Sequence, residues 1–545
     1  MRTRILRFAY VSLVVFLGCG KGAESSPTPD TSPSDVSTAD TAEPDTTVMD
    51  DVVEDAVDAA TCSSCAPSTA TGQQSMDTEL LVQDPNRTRH NPLKGFMTSY
   101  QWGQPANDFP DQMEFLYLPM ADLWGPDGET FNTGLEPLLD AAAARGHHSV
   151  FRVFLDYPNS PSGMPAHLTE LVTCQTYTDH GGGCSPDYDN PLLVEAMLGL
   201  ISAMGAQYDG DPRIGALQVG LLGFWGEWHS YPHTDWFASV ATQTAVLKAF
   251  HAAFNTSQLQ LRYPSANSLD LRIGFHDDSF AYSTMGDIGW FFLPSLVAAG
   301  GAERWKEVMI GGELRPELQS VCFQDDYTLD TYAQDVATCI DATHASYLLN
   351  YTAFNEDGKG YEGTERERAE QAALQMGYQF ELQAASLNLW GLDAGTVEAE
   401  VTVELAQTGV APFYYTLNAS LHADSELASH TEDLKTLLPG QSKTLTFSLG
   451  RVAVSVVNSP ITLRLSSPML LPDQRVLLAT STPGTAADGE TALAWSLGCD
   501  VDGQTVSLGD VAGSVAPDCD CFCDVDGLLR TCDGTLCGSG TESTP

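Results

Sequence analysis

Basic residues are scarce. The 545-residue chain has 25 Lys and Arg against 72 Asp and Glu, a net charge of −47. So negative a surface repels phosphate backbones, which excludes nucleic acid as a partner and favours neutral or basic substrates over polyanions. Long apolar runs are nearly absent too. Phe8–Gly18 is too short to span a bilayer, and no other stretch reads as long and apolar enough to do so. Several signatures are missing. The Gly181–Gly183 run lacks the Lys-Ser/Thr of a phosphate loop and sits between two cysteines, and no Gly-x-Ser-x-Gly elbow occurs. Cys62-x-x-Cys65 has no second pair at metal-ligand spacing. His229, His276 and one Asp would make a metal set without any motif spacing behind it. Neither a metal nor a cofactor is therefore expected.

The N-terminus carries an export signal. Arg2, Arg4 and Arg7 precede the short apolar run, which ends in Val15-Phe-Leu-Gly-Cys19. That resembles a bacterial lipoprotein signal, with Phe16 where Leu is preferred. It implies lipidation of Cys19 and attachment to a membrane of the bacterial cell envelope, at the outer membrane or cell surface. An ordinary secretory signal is the alternative. Export agrees with the 13 cysteines: without Cys19, twelve remain, grouped in near pairs that read as disulfides. Cys174–Cys184 and Cys322–Cys339 are expected to staple loops after the third and seventh strands.

Five regions are predicted: a signal peptide over 1–18, an acidic Ser/Thr/Pro tether over 19–75, a barrel over 76–385, a β-sandwich over 386–485 and a disulfide-rich tail over 486–545. The tether is too polar to form a core. From Met76, strand-like runs alternate with helical ones, the pattern of a parallel sheet covered by helices. Eight strands are predicted, over 95–100, 115–120, 149–155, 216–223, 271–275, 288–292, 308–311 and 346–351. That suits a (β/α)8 TIM-like barrel, with an open doubly wound sheet as the alternative. From about 396 the pattern turns to two-residue alternation, with Val397, Ala399, Val401, Val403 and Leu405 on one face, as in an antiparallel sandwich. In the tail, Cys499-Asp-Val-Asp-Gly503 recurs as Cys523-Asp-Val-Asp-Gly527. The repeat resembles the start of a calcium loop but lacks the later acidic ligand, so a stapled knob is expected.

The stretch Ile214–His229 begins as an apolar strand and ends in Gly223-Phe-Trp-Gly-Glu-Trp-His229. Chemistry in an α/β barrel sits at the carboxyl ends of the strands. Glu227 there, between Trp225 and Trp228, is a candidate acid or nucleophile; a structural pair with an Arg or a backbone amide is the alternative. Glu313, in Gly311-Gly-Glu-Leu-Arg-Pro316, ends the predicted seventh strand. Two carboxylates facing each other across the mouth are able to flank a glycosidic bond. Arg152 and Asp156, on and after the third strand, are candidates to hold a carboxylate ionised or to pair with each other. His276, Asp277 and Asp278 follow the predicted fifth strand, and adjacent Asp residues point to opposite faces, so one at most enters the mouth. Trp225, Trp228, His229 and Arg315 complete the candidate substrate-binding set.

Carboxylates ending strands four and seven resemble the clan A glycoside hydrolases, retaining (β/α)8 enzymes. The resemblance implies that Glu227 is the acid/base and Glu313 the nucleophile. Many clan members carry Asn before the acid/base, where this chain has Gly226. Asn91-Pro-Leu-Lys-Gly-Phe96, Phe151-Arg-Val-Phe-Leu-Asp156, the 223–229 motif, Arg272-Ile-Gly-Phe-His-Asp-Asp278 and Gly311-Gly-Glu-Leu-Arg-Pro316 together resemble a family of secreted bacterial barrels, domain of unknown function 4832, with its N-terminal companion 4874. That name implies the architecture and no reaction. The expectation is a surface lipoprotein that cleaves glycosidic bonds. A non-catalytic glycan-binding module and an adhesive surface protein are the alternatives.

Overall fold

A computed structural model of the chain describes residues 68–100, 109–125, 131, 133–325, 327, 332–356, 358, 360–483, 485, 489–501, 504–508, 511–516, 519–530, 536 and 537. All of them belong to one compact unit, Cys62–Pro545. Cys19, the signal, most of the tether, Cys62 and Cys65 lie outside the described residues.

The centre is a closed barrel of eight parallel strands: β1 (Gly95–Ser99), β2 (Met113–Pro119), β3 (His148–Phe154), β4 (Ile214–Gln218), β5 (Leu259–Leu261), β6 (Gly274–Phe280), β7 (Ile310–Leu314) and β8 (Tyr347–Leu349). Strand β3 is buried along its whole length, as a strand covered on both faces must be. Helices cover the outside. The longest, α1 (Pro191–Tyr208), starts where the Asn190 side chain accepts from the Leu192 amide with Pro191 in the first turn. Among the described residues it is the one helix long and apolar enough to cross a membrane. Its Leu193, Met197, Leu200, Ile201 and Met204 are instead buried in the layer between helices and barrel, so composition misleads here.

Two of the eight expected strands are corrected. The fifth is Leu259–Leu261, three residues whose brevity hides them in the sequence. Residues 274–280, in part assigned to the fifth, are the sixth. Ile288–Phe292 is no strand: it is a turn running into the helix Phe292–Ala299, and a short apolar run does not distinguish the two. The two errors cancel in the count, so Glu313 still lies on the seventh strand.

Two four-stranded antiparallel sheets follow. One holds β9 (Phe380–Asp393), β10 (Thr396–Gln407), β13 (Ser442–Ala453) and the strand Thr71–Ser75; the other holds β11 (Asn418–His422), β12 (Glu426–Ser429), β14 (Ile461–Ser466) and β15 (Thr491–Leu493). Residues 71–75 are thus a sheet strand and not tether. Leu387, Val401 and Leu445 of one sheet meet Leu421, Ile461 and Leu463 of the other in one core, which continues into Met113, Val150, Ala216 and Met309 at the barrel's amino-terminal end. The Tyr415 hydroxyl donates to the Gly215 carbonyl at 2.8 Å and fixes the junction. In the tail, Cys499 bonds Cys523 and Cys521 bonds Cys537. The first cysteines of the two repeat copies are therefore joined to each other. Asp524 and Asp526 face Arg530, a cation of the chain itself.

Outside the barrel, on β2, Glu114 is fully buried. It accepts from both Arg145 Nε and Nη2 at 2.6 Å, and His147 Nδ1 lies 2.7 Å away, with Asp111 3.4 Å from the other ring nitrogen. Burial disfavours the charged imidazole, but hydrogen bonds to Asp111 and Glu114 win and raise its pKa to about 9. A raised folded-state pKa stabilises fully below the unfolded value near 6.5 and is lost as pH rises through about 9. His147→Gln should therefore cost about 2 kcal/mol at pH 6 and close to nothing at pH 10. Denaturant melts of parent and variant at the two pH values check this; an equal deficit at both rules out the charged cluster.

Candidate functional site

Strand β4 stops at Gln218, nine residues before Glu227, so Glu227 does not end the strand as expected. Residues 220–229 coil instead. Leu221, Trp225 and Trp228 have φ of 68°, 56° and 60°, in the left-handed region non-glycine residues rarely occupy. The Glu227 amide donates to the Phe224 carbonyl at 2.8 Å, and Trp225 donates to the Asp156 carbonyl at 2.8 Å. Gly226 sits at φ 70°, and a Cβ there would lie 3.0 Å from the Val153 carbonyl oxygen and 3.2 Å from Arg152 Cδ. A side chain at this position would be strained.

The coil brings Glu227 over a buried arginine. Arg152, on β3, is 1% exposed and spends its whole guanidinium inside the mouth. Nε donates to Gln218 Oε1 at 3.0 Å, Nη1 to Glu227 Oε1 at 3.1 Å and Nη2 to Asp278 Oδ2 at 2.5 Å. Tyr117 lies under it, 5.4 Å from ring centre to guanidinium carbon. His276 Nδ1 lies 2.8 Å from the other Asp278 oxygen, and His229 Nε2 is 3.5 Å from Glu227 Oε2. Arg152 thus pairs with Glu227 and Asp278 and not with Asp156.

Charge is distributed unevenly over these carboxylates. Burial pushes Glu227 up, but its hydrogen bond to His229 and the charge of Arg152 outweigh that and the repulsion of Asp278, leaving it below its ordinary range. Asp278 pays the same desolvation, yet Arg152 and His276 hold it far below. Glu313, half-buried at the end of β7, has no ion-pair partner among the described residues. Burial, then the charges of Asp278 and Glu227, push it well above the usual carboxylate range, against a smaller pull from Arg152. Arg315 gives no help: it pairs with Glu317 at 2.9 Å and stacks on Tyr282 at 3.6 Å. Gly312 precedes Glu313 at φ 151°, and a Cβ there would sit 2.1 Å from the Asp277 carbonyl oxygen. That close approach seats β7 against β6, the strand that carries Asp278.

The other candidates scatter. Asp277 and Asp278 point to opposite sides of β6. Asp277 is buried against Thr284 Oγ1 at 2.8 Å and Arg262 at 3.4 Å, away from Glu227. Asp156, expected to touch substrate, is buried under the hairpin Cys174–Tyr177/Gly183–Pro186, where the Tyr177 hydroxyl donates to it at 2.7 Å. Burial raises its pKa to about 6. Trp228 is also buried, its Nε1 donating to the Gly220 carbonyl, so it is core and not a sugar platform. Trp225 stays half-exposed, 5.0 Å from His180 at the hairpin tip.

Cys174 and Cys184 are bonded, which ties that hairpin beside the Glu227 coil. Cys322 and Cys339 are not bonded to each other; both are thiols. Cys339 is on the buried face of the helix Val336–Thr343 with its Sγ turned to Gln334, and Cys322 Sγ turns to the Gln319 carbonyl. Gln218 and Tyr117 belong to the site and Arg262 flanks it, its charge lowering Asp278; none of the three carried a motif. Gln218 ends β4 and Arg262 follows β5, so correct strand ends would have pointed to both.

No family model and no curated protein matches the sequence. The chain is similar in fold to solved structures of glycoside hydrolases. GH5_18 from Bifidobacterium longum subsp. longum ATCC 55813 is 14% identical over 52% of this chain and 79% of its own, with a TM-score of 0.29. Xylanase XynB from Paenibacillus barcinonensis is 12% identical over 47% and 83%, with a TM-score of 0.26. A family 39 glycoside hydrolase from Bacteroides cellulosilyticus WH2 is 11% identical over 67% and 81%, with a TM-score of 0.29.

Proposed function

We propose that the protein hydrolyses glycosidic bonds at the carboxyl-terminal mouth of its barrel, with Glu227 and Glu313 as the acting pair. One observation carries this. Arg152 donates to Glu227 at 3.1 Å, while Glu313, on β7, has no ion-pair partner among the described residues and is raised by burial and by the charges of Asp278 and Glu227, so the two proton affinities part, Glu227 down and Glu313 up. Splitting two carboxyl groups in this way is how a site keeps one acid and one base at the same pH. Glycoside cleavage needs that division: a proton for the leaving oxygen, and a carboxylate as nucleophile or as base for water. On this charge pattern Glu313 supplies the proton and Glu227 the carboxylate, the reverse of the roles the clan resemblance implies.

Glycan binding without turnover is the second reading. It is favoured by the engagement of both Glu227 oxygens, one by Arg152 and one by His229. Release of reducing ends from a panel of neutral glycans separates the two. The parent should release them from at least one glycan, and the double variant Glu227→Gln/Glu313→Gln from none. Binding without release by the parent, or equal release by the double variant, would falsify the hydrolytic reading.

A further inference from the structure

Beside the carboxylate well, the loops after β6 and β7 carry a group of aromatic rings that the proposed chemistry does not use. Trp290 is 61% exposed, and Tyr332 is exposed as well. Both rest edge-on against the buried Phe291, Trp290 with ring centres 4.6 Å apart at 80° and Tyr332 5.6 Å apart at 90°. Tyr332 in turn meets Tyr282 at 5.5 Å, and Tyr282 lies under the Arg315 guanidinium at 3.6 Å. Arg315 is two residues from Glu313. A continuous path of ring contacts therefore runs from the end of β7 to an exposed indole.

The group is held rigidly. Gln334 laces the two loops together: its amide donates to the Ala281 carbonyl at 2.6 Å, its Nε2 donates to the Met285 carbonyl at 2.6 Å and its Oε1 accepts from the Met285 amide at 2.8 Å. The Thr284 hydroxyl ties the same loop to Asp277. A large ring already fixed in place loses little entropy on binding. Exposing a tryptophan beside a prospective active site costs solvation that a purely structural ring avoids by burial, as Trp228 does.

A pyranose presents a C–H face that packs on an aromatic ring and hydroxyls at its rim. Trp290 supplies the face, and the Tyr332 hydroxyl, its ring centre 6.4 Å away, supplies a hydrogen bond at the edge. With a net charge of −47 over the chain, a neutral sugar suits this surface better than an acidic one. We infer that Trp290 and Tyr332 form an outer subsite for one pyranose unit of a neutral sugar chain whose scissile bond lies at Glu313. The inference rests on the hydrolytic reading for the position of that bond and adds to it that the substrate is an extended chain.

The test is run on the full chain. Neutral hexasaccharides of β-1,4-glucan, β-1,4-xylan, β-1,4-mannan and β-1,3-glucan are titrated against the Glu227→Gln variant, followed by tryptophan emission. At least one should bind and shift the emission. Adding Trp290→Ala should abolish most of that shift and weaken binding about tenfold, while Trp290→Phe should retain most of the affinity. In the otherwise unaltered protein, Trp290→Ala should lower kcat/KM about tenfold on the bound hexasaccharide and leave an aryl monoglycoside unchanged. Absence of binding by all four probes overturns the subsite, as does equal binding with and without Trp290 or an equal loss on both substrates. Trp290-dependent binding by a parent that cleaves nothing would keep the subsite and remove the hydrolytic reading. Cleavage indifferent to Trp290 would do the opposite.

Discussion

Arg152→Met should destabilise the barrel by about 3–5 kcal/mol at pH 7, the cost of leaving buried charge without its counter-charge. The substitution keeps much of the side chain's length and apolar stem, so the loss is chiefly electrostatic. It strips Glu227 and Asp278 of the cation between them and leaves the Gln218 side-chain Oε1 without its arginine donor. The deficit should depend on pH with a definite sign. In the parent, Asp278 and Glu227 have folded pKa values below their unfolded ones, so their contribution is present above about pH 4 and fades as pH falls through the folded values. In the variant both carboxyls would rise toward or above the unfolded values, and acid would relieve the repulsion. The gap between parent and variant should narrow from pH 7 to pH 4.5. Urea melts at the two pH values measure it. A deficit under about 1 kcal/mol, or one that widens in acid, means that Arg152 does not organise the well.

Much of this arrangement was legible in the sequence, for identifiable reasons. The apolar start of Ile214–His229, which is β4, and the alternation in β10 come from burial on two faces and on one, and burial pattern is what a sequence displays best. The Gly-rich motifs at 223–229 and 311–316 marked both carboxylates, because a chain that coils tightly or lets two strands approach must place glycine there. What stayed hidden depends on distance in space. Leu259–Leu261 is too short to display a period, so Arg262 beyond it went unseen. Nothing in the order of residues says that Arg152 reaches Glu227 and Asp278 while Arg315 turns away to Tyr282, yet that choice sets the charge on the pair. The same holds for cysteine. Counting predicted a bridge from Cys322 to Cys339, but a helix fixes the direction of each side chain, and the buried face of Val336–Thr343 turns Cys339 to Gln334.

Single carboxamide substitutions should give opposite kinetic signatures. Glu313→Gln removes the group whose surroundings keep it protonated, so departure of a poor leaving group should slow by about 10²–10⁴-fold, the usual contribution of a general acid. An aryl glycoside that departs without a proton should lose far less. Glu227→Gln removes the carboxylate, and both substrates should fail together, whether Glu227 attacks carbon or activates water. The pH profile of kcat/KM follows from the same two shifts. Activity should fall on the acid side as Glu227 takes up its proton, below the ordinary carboxylate range. It should fall on the alkaline side as Glu313 loses its own, above that range. In Glu313→Gln the alkaline limb should vanish from the aryl-glycoside profile while the acid limb stays, a result that simple damage to the fold would not produce. If Glu227 forms a glycosyl-enzyme, azide, which needs no general base, should partly restore Glu313→Gln toward good leaving groups by intercepting that intermediate; if Glu227 activates water instead, azide should do nothing. If instead Glu227→Gln keeps the aryl substrate and is rescued by azide, while Glu313→Gln is dead to both, the roles run as in clan A enzymes. The charge pattern of the free protein would then be one that substrate binding reverses. Full rates in both variants would move the chemistry to other residues altogether.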